Sequence, residues 1–185
     1  MSFQPVTALI FDFDGTMIDS DAALVSPFVT LGVPLEEISF GHAIAEECDR
    51  LGVSLDAYVD AYDTELAQPF AGMTEVVEKL GRWAICSNKH PRSASAELAR
   101  LRWEPEVALY ADHFDWAHKG LSPVLELMDL KPSEVAMVGD SAGDLRCALE
   151  IGCQMVWAGW NPRVTAAAPE GTVLQHPSEL LALYA

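Results

Sequence analysis

The motif Asp12-Phe13-Asp14-Gly15-Thr16 contains the first residues whose types and spacing could do chemistry. It follows the apolar run VTALIF, which is typical of a buried strand that ends in a turn. Asp12 and Asp14 point the same way only if the backbone stays extended between them, and Gly15 then permits a sharp turn whose amides can face an anion. The alternative is a turn that uses Asp and Gly only for local hydrogen bonds. A calcium loop is excluded because its glycine would come later in the motif.

Asp140 and Asp144 form a second acidic pair, again directly after an apolar run, VAMV. Asp140 at a strand end and Asp144 in the opening turn of a helix could converge on a hard cation that prefers oxygen ligands. The alternative is that Asp140 caps the helix and Asp144 stabilises its N-terminus. Open α/β folds place their ligands at the carboxyl ends of strands, and four crowded carboxylates repel one another unless a cation neutralises them. Mg²⁺ is therefore the predicted cofactor.

Two further polar sites lie between the acidic pairs. Ser87 and Asn88 follow the apolar run WAIC, and Lys119 is one of only 11 Lys and Arg residues in the chain. Each is, by itself, typical of a helix cap or a solvated surface residue. Their order between the two acidic pairs favours one shared site.

Short apolar runs recur along the chain and lack polar alternation, which is typical of strands buried on both faces of a parallel sheet. These strands are predicted at 6–13, 83–86, 107–110, 135–138 and 155–158. Helical patterns separate them. The alternation predicts the α/β class, with a central parallel sheet in a three-layer sandwich.

The segment 20–68 breaks this alternation because it contains no strand-like run. Three helical patterns are predicted there, at about 21–31, at 40–51 and from a Ser54 cap to residue 68. Inserted directly after the first strand, they predict a small all-α cap over the carboxyl edge of the sheet.

The predicted domain organisation follows from this insertion. Residues 1–19 and 69–185 are assigned to the core domain, and 20–68 to the cap. The tail after Pro162 is predicted to be loop, with a last short helix near 178–183.

Composition excludes several functional classes. The 185 residues are 50% apolar, and 28 Asp and Glu against 11 Lys and Arg give a net charge of −17. Such an acidic excess disfavours nucleic acid and anionic membrane surfaces as partners. No spanning apolar run or secretory signal is evident, and the 4 cysteines lack metal-ligand spacing. We expect a soluble cytoplasmic protein, whose oligomeric state stays open.

The motifs FDFDGT, CSNK, HKG and GDSAGD, in this order, resemble the four motifs of the haloacid-dehalogenase superfamily. The segments QPFAGMTEVVEKLG and SNK are similar to phosphoglycolate-phosphatase-like members of that superfamily. The resemblance covers nearly the whole chain. It implies a Rossmann-like core of five parallel strands, a small helical cap, and Mg²⁺-dependent hydrolysis of a small phosphorylated metabolite through an aspartyl-phosphate.

The resemblance also implies a role for each motif residue. Asp12 would attack phosphorus, and Asp14 would protonate the leaving oxygen and then activate the hydrolytic water. Ser87 would hydrogen-bond the transferring phosphoryl group. Lys119 would balance the charge on Asp12 and on that group.

The remaining site residues are assigned to the metal and the substrate. The metal ligands would be Asp12, the backbone carbonyl of Asp14, and Asp140, with Asp144 bound directly or through water. Gly15, Thr16 and Asn88 are expected to contact the substrate.

One other function known in the superfamily is disfavoured, and two further functions remain open. Dehalogenation is disfavoured because dehalogenating members of the superfamily carry a different residue at the position of Asp14. A phosphomutase would share every core residue, and a catalytically silent binding or regulatory protein could keep the same fold.

The charge of the cap bears on the substrate. The cap contains ten Asp and Glu residues, and Arg50 is the single Lys or Arg in its sequence. This suits a neutral or cationic leaving group, but the preferred explanation of the acids is that they form solvated helix faces. His42 and Arg50 in the cap, or Lys89, His90 and Arg92 in the core, are candidates for substrate contacts.

Overall fold

The computed structural model describes residues 4–39 and 43–184. Its strands in chain order are β1 (Ala8–Phe11), β2 (Ile18–Asp19), β3 (Gln68–Pro69), β4 (Trp83–Cys86), β5 (Val107–Leu109), β6 (Val135–Gly139), β7 (Gln154–Ala158) and β8 (Thr172–Leu174). Its α-helices are α1 (Asp21–Thr30), α2 (Ile44–Leu51), α3 (Leu55–Ala61), α4 (Met73–Val77), α5 (Pro91–Leu101), α6 (Ser122–Met128), α7 (Ala142–Ile151) and α8 (Pro162–Ala167).

Six of these strands form one parallel sheet in the order β5-β4-β1-β6-β7-β8. All four residues of β1, at the centre of the sheet, are buried. Leu9 and Phe11 pack in an apolar cluster with α4 and α5, whereas Ala8 and Ile10 pack in a second cluster with α6 and α7. Side chains alternate between the faces of a strand, so a continuous apolar run is needed to fill both layers. The predicted three-layer α/β fold is confirmed.

The first strand is shorter than the predicted run 6–13. The ladder continues one residue beyond β1, since Asp12 N donates to Val138 O (2.9 Å). The chain then turns, and Met17 N donates to Phe13 O (3.0 Å). Asp12 therefore stands at the carboxyl edge of the sheet.

The prediction that the tail is loop was wrong. Helix α8 follows Asn161, and strand β8 pairs in parallel with β7, so the sheet has six strands rather than five. Strand β8 has three half-buried residues, which is too short for a periodic pattern to show in the sequence. The last short helix is a 3-10 helix at Pro177–Ala182, close to its predicted position.

The segment after β1 folds into helices α1, α2 and α3, which share an apolar cluster of their own. The buried members of this cluster are Phe28, Cys48, Tyr58 and Val59. The short antiparallel ribbon of β2 and β3 links the segment to the sheet; its two-residue strands were not predicted. The assignment of 20–68 to a separate cap remains a prediction.

The third helix of this segment differs from its prediction. Ser54 is its N-cap residue, as predicted, and the Oγ of Ser54 accepts a hydrogen bond from Ala57 N (3.4 Å), but the helix ends at Ala61. Asp63 then caps a separate 3-10 turn. Residue 40, with which the second predicted helix begins, lies outside the described residues; α2 itself covers Ile44–Leu51.

No helix within residues 4–39 and 43–184 combines the length and the apolar character that crossing a membrane requires.

Candidate active site

The loop after β1 lies directly against the loop after β6. Gly15 has a φ of 73°, and a Cβ atom at this position would lie 2.3 Å from Asp140 Oδ2. Only glycine fits this combination of backbone angle and close approach. Thr16, which is fully buried, donates from Oγ1 to Asp140 Oδ1 (3.4 Å). Gly15 and Thr16 thus bring the two acidic motifs together.

Three carboxylates meet at this edge of the sheet. Oxygen atoms of Asp12, Asp140 and Asp144 all lie within 4.8 Å of one another. Asp12 follows β1, Asp140 follows β6 and Asp144 is in the first turn of α7. Parallel strands end at the same edge, so residues far apart in sequence converge here.

Asp144 is held by the N-terminus of α7. Ser141 N and Ser141 Oγ donate to Asp144 Oδ2 at 2.9 and 2.7 Å, and Ser141 is the N-cap residue. A Cβ atom on Gly139 would lie 2.3 Å from Asp144 Cγ, so the glycine leaves room for this side chain. Ser141 therefore caps the helix, and Asp144 completes the capping box and joins the carboxylate cluster. Asp140, the cap considered in the sequence analysis, does not cap this helix.

Lys119 places a buried cation between two of these carboxylates. Its Nζ lies 2.7 Å from Asp12 Oδ1 and 2.6 Å from Asp144 Oδ1. Burial alone would lower the pKa of Lys119, but the attraction of Asp12 and Asp144 outweighs it and raises the pKa. Asn88 Oδ1 accepts from Lys119 N (2.9 Å) and so fixes the loop that carries the lysine.

The cluster keeps an excess of negative charge. Burial raises the pKa of Asp12 to about 6. The negative charges of Asp144 and Asp14 add to this shift, and the positive charge of Lys119 opposes it. Burial and the neighbouring Asp12 and Asp144 raise the pKa of Asp140 to about 7. A hard divalent cation would relieve this repulsion, and an all-oxygen donor set suits Mg²⁺. The three carboxylates thus fit the metal that the sequence predicts.

Asp14 belongs to a different ion-pair network. Its Oδ1 lies 2.6 Å from Lys89 Nζ, which also lies 3.1 Å from Glu97 Oε2. Lys89 Nζ donates to Tyr62 OH (2.8 Å), and Tyr62 OH donates to Glu97 Oε1 (2.9 Å). The ammonium group thus has three polar partners and is buried, with 2% of its side chain exposed.

Sequence reasoning missed Glu97 and Tyr62 as members of this network. Burial raises the pKa of Glu97 to about 7, although Lys89 opposes the shift. The available signal was the position of Glu97, which follows Ser93 and Ala94 on the buried face of α5. An acid on a buried helix face requires a partner.

Two residues from the tail were also missed. Asn161 Nδ2 donates to Gly15 O (2.7 Å) and Asp140 Oδ2 (3.3 Å). Arg163 Nη2 donates to Asp140 Oδ2 (3.0 Å), and its Nη1 lies 2.9 Å from Asp21 Oδ1. The signal was Asn161-Pro162, since Asn followed by Pro is typical of a helix N-terminus.

A cavity of about 630 Å³ opens between the sheet edge and the helices α1, α2 and α3. The predicted site residues that line it are Asp12, Asp14, Ser87, Asn88, Lys119 and Asp140. Ser87 is buried, and its Oγ accepts from Lys89 N (3.3 Å). Gly15, Thr16 and Asp144 are not among the residues that line the cavity; they contact its lining residues instead.

The candidate substrate contacts are distributed unevenly. Lys89 and His90 line the cavity, whereas Arg92 pairs with Asp60 (2.6 Å) in an exposed ion pair. Arg50 is turned toward Glu47 (2.6 Å) and is not among the lining residues. His42 lies outside the described residues.

Comparison with known proteins supports the resemblance that the motifs indicate, independently of the geometry of the site. A family model described as haloacid dehalogenase-like hydrolase matches residues 9–158. The curated protein named "Probable phosphatase IndB" from Dickeya dadantii is 27% identical, over 88% of this chain and 86% of its own length. Pyrophosphatase PpaX from Bacillus mycoides is 23% identical, over 95% of each chain.

Solved structures show the same fold. A candidate phosphoglycolate phosphatase from Lactobacillus plantarum superposes with a TM-score of 0.74 at 21% identity, covering 100% of both chains. A haloacid dehalogenase-like family hydrolase from Streptococcus pneumoniae gives a TM-score of 0.71 at 21% identity, covering 96% of this chain and 97% of its own.

Proposed function

The chain belongs to the haloacid dehalogenase-like hydrolase family, and on this premise we propose that it is a Mg²⁺-dependent phosphatase acting through an aspartyl-phosphate. Its substrate is a small phosphorylated metabolite, and its location is the cytoplasm. The observation that carries the proposal is the position of Asp12. Its carboxylate lies in the cavity, 2.7 Å from the buried Lys119 ammonium and within 4.8 Å of the carboxylates of Asp140 and Asp144.

The residues that would hold the metal are Asp12, Asp140, the backbone carbonyl of Asp14, and Asp144 either directly or through water. Bound Mg²⁺ supplies positive charge beside Asp12, which reduces the repulsion between this carboxylate and an anionic phosphate. Asp144 Oδ1 also lies 2.6 Å from Lys119 Nζ and thereby fixes the lysine cation beside Asp12.

Asp12 is the nucleophile. One of its carboxylate oxygens forms a bond to phosphorus while the bond from phosphorus to the ester oxygen breaks, which leaves an acyl phosphate on Asp12. Asp14 takes part in this step in its protonated form and gives that proton to the departing oxygen, so the product leaves as an alcohol. Asp14 then takes a proton from water as the water oxygen attacks the acyl phosphate, releasing phosphate and regenerating both carboxyl groups.

Three other residues hold the transferring group. Lys119 stabilises the charge that develops on the phosphoryl oxygens, and Ser87 and Asn88 supply hydrogen bonds from the end of β4. Loss of one such electrostatic contact lowers kcat by roughly 10²–10³.

The test is phosphate release from an aryl phosphate with Mg²⁺, by wild type and by Asp12→Asn. We expect turnover by wild type and a loss of at least about 10³ in the variant, since an amide cannot form the acyl phosphate. Asp129→Asn is the matched control because Asp129 is exposed at the end of α6, and an asparagine suits its positive φ of 52°. No release by wild type, or equal release by Asp12→Asn and wild type, would overturn the proposal.

A further inference from the structure

The cavity has two chemically different ends. The lining residues Lys119, Asp12 and Asp140 stand at the sheet edge. The opposite wall comes from the described residues of the segment 21–62, which are 21–39 and 43–62. Its apolar and aromatic members are Leu24, Phe28, Ile38, Ala43, Ile44, Tyr58 and Tyr62.

The polar atoms of this wall already have partners within the protein. Tyr58 OH donates to Leu24 O (2.9 Å), and Tyr62 OH is shared between Lys89 and Glu97. A ligand against the wall therefore meets the apolar faces of these rings, because the hydroxyl groups are engaged elsewhere.

Glu47, the one acid that residues 21–39 and 43–62 contribute to the lining, is also neutralised. Glu47 Oε1 lies 2.6 Å from Arg50 Nη2, and Oε1 also accepts from Ser39 N (2.8 Å). These bonds hold the guanidinium of Arg50 against Glu47, so this cation does not bind an anionic substrate from this side of the cavity.

Among the described residues, every Lys or Arg that lines the cavity comes from the core rather than from this wall: Lys89, Lys119, Arg146 and Arg163. Lys89 and Lys119 are each paired with two carboxylates. A carboxylate or second phosphate placed against the wall would lose its hydration without gaining a cation, whereas an apolar group placed there loses nothing and gains burial.

We propose that the leaving group of the substrate is uncharged and apolar, an alkyl or aromatic group, and that the wall of Leu24, Phe28, Ile44 and Tyr58 buries it. This inference rests on the proposed phosphatase function and adds a substrate class to it. The phosphoester then lies at the carboxylate cluster, with its organic part directed toward α1, α2 and α3.

The experiment compares kcat/KM for methyl, butyl and hexyl phosphate, with phosphoglycolate and inorganic pyrophosphate as anionic competitors of similar size. Burial of each added methylene should raise kcat/KM by about fourfold until the wall is covered. We expect hexyl phosphate to exceed methyl phosphate by at least about 30-fold, and butyl phosphate to exceed phosphoglycolate by at least about tenfold. A flat alkyl series, or faster turnover of either anionic competitor, would overturn the inference.

Binding to Asp12→Asn separates this inference from the proposed function because it requires no turnover. Calorimetry should show the dissociation constant falling from methyl to hexyl phosphate by the same factor of at least about 30. If wild type hydrolyses none of the esters, the proposed function fails, and the binding ratio still decides whether the wall recognises apolar groups. Equal dissociation constants would overturn the inference on their own.

Two substitutions on α1 test whether the wall causes the preference for longer alkyl groups. Leu24→Arg puts a cation into the wall and should reduce the hexyl-to-methyl ratio of kcat/KM to within about threefold of unity. Val29→Arg, half exposed on the same helix and not part of the lining, should keep the wild-type ratio. Ile44→Ser is a milder second variant, in case Leu24→Arg impairs folding. An unchanged ratio in both wall variants would contradict the assignment.

Discussion

Lys89 Nζ lies 2.6 Å from Asp14 Oδ1, whereas Asp12, two residues earlier in the same loop, is held by Lys119 at 2.7 Å. The two carboxylates therefore have separate cations. Lys119 also contacts Asp144 and belongs to the carboxylate cluster, while Lys89 contacts Glu97. This division suits the two tasks that we propose for them, because a nucleophile must stay beside the metal site and an acid–base group must be positioned independently of the nucleophile.

Lys89→Met should impair the acid–base step in particular. Without its ion pair, Asp14 is no longer held in position, and general acid–base catalysis contributes roughly 10²–10⁴ to a rate. The loss should be at least about tenfold larger for an alkyl phosphate than for a nitrophenyl phosphate, because only the poor leaving group needs a proton in the transition state. Steady-state kcat for both substrates measures this ratio.

Asp14→Asn provides the comparison for Lys89→Met. It should show the same dependence on the leaving group, and Lys89→Arg should recover part of the activity because it restores the ion pair. Equal losses on both substrates in Lys89→Met would assign Lys89 a structural role only.

Mg²⁺ should raise the melting temperature of the wild-type protein. A ligand that binds only the folded state stabilises it by about 2.7 kcal/mol when present at 100 times its dissociation constant. Asp140→Asn and Asp144→Asn should reduce or abolish this shift, as each removes a carboxylate from the cluster. Thermal unfolding with Mg²⁺ and with a chelator measures it.

Glu150→Gln is the control for the Mg²⁺ experiment. Glu150 lies on α7 with Asp144, but its side chain is 55% exposed and pairs with Arg146. It should retain the full shift. A wild-type protein whose melting temperature does not respond to Mg²⁺ would contradict the metal assignment.

The sequence predicts the sheet well where its signals are local. Strand β4 has the bounds of its apolar run, 83–86, because buried parallel strands require uninterrupted apolar residues. Strands β2, β3 and β8 escape prediction since two or three residues establish no period.

The carboxylate cluster and the Lys89 network of the site also differ in how far the sequence predicts them. Asp12, Asp140 and Asp144 were predicted to meet because Asp12 and Asp140 follow the carboxyl ends of strands and Asp144 lies in the first turn of the helix after Asp140. Glu97 and Tyr62 were not predicted, because they approach each other through the packing of α5 against the residues after α3, a tertiary contact without a local signature.

Lys119→Met should lower both activity and stability. Activity should fall by roughly 10²–10³ or more, since the cation next to the nucleophile is lost. Stability near neutral pH should fall by about 3–5 kcal/mol, because Asp12 and Asp144 would remain as buried charges without this partner. Denaturant unfolding measures the second effect. Lys79→Met, at an exposed lysine, should change neither quantity.

The free energy of unfolding should depend on Glu47 in a defined pH window. Hydrogen bonds from Arg50, with those from Ser39, lower the pKa of Glu47 from 4.5 to about 2. A depressed carboxyl pKa stabilises the fold above the unfolded-state value near 4.5, and this contribution is lost as the pH falls through about 2. The stability difference between wild type and Glu47→Gln should thus be largest above about pH 5 and shrink toward about pH 3. Urea unfolding at these pH values measures it, with Glu46→Gln, exposed on the same helix, as control. A difference independent of pH would show that the ion pair with Arg50 does not stabilise this wall of the cavity.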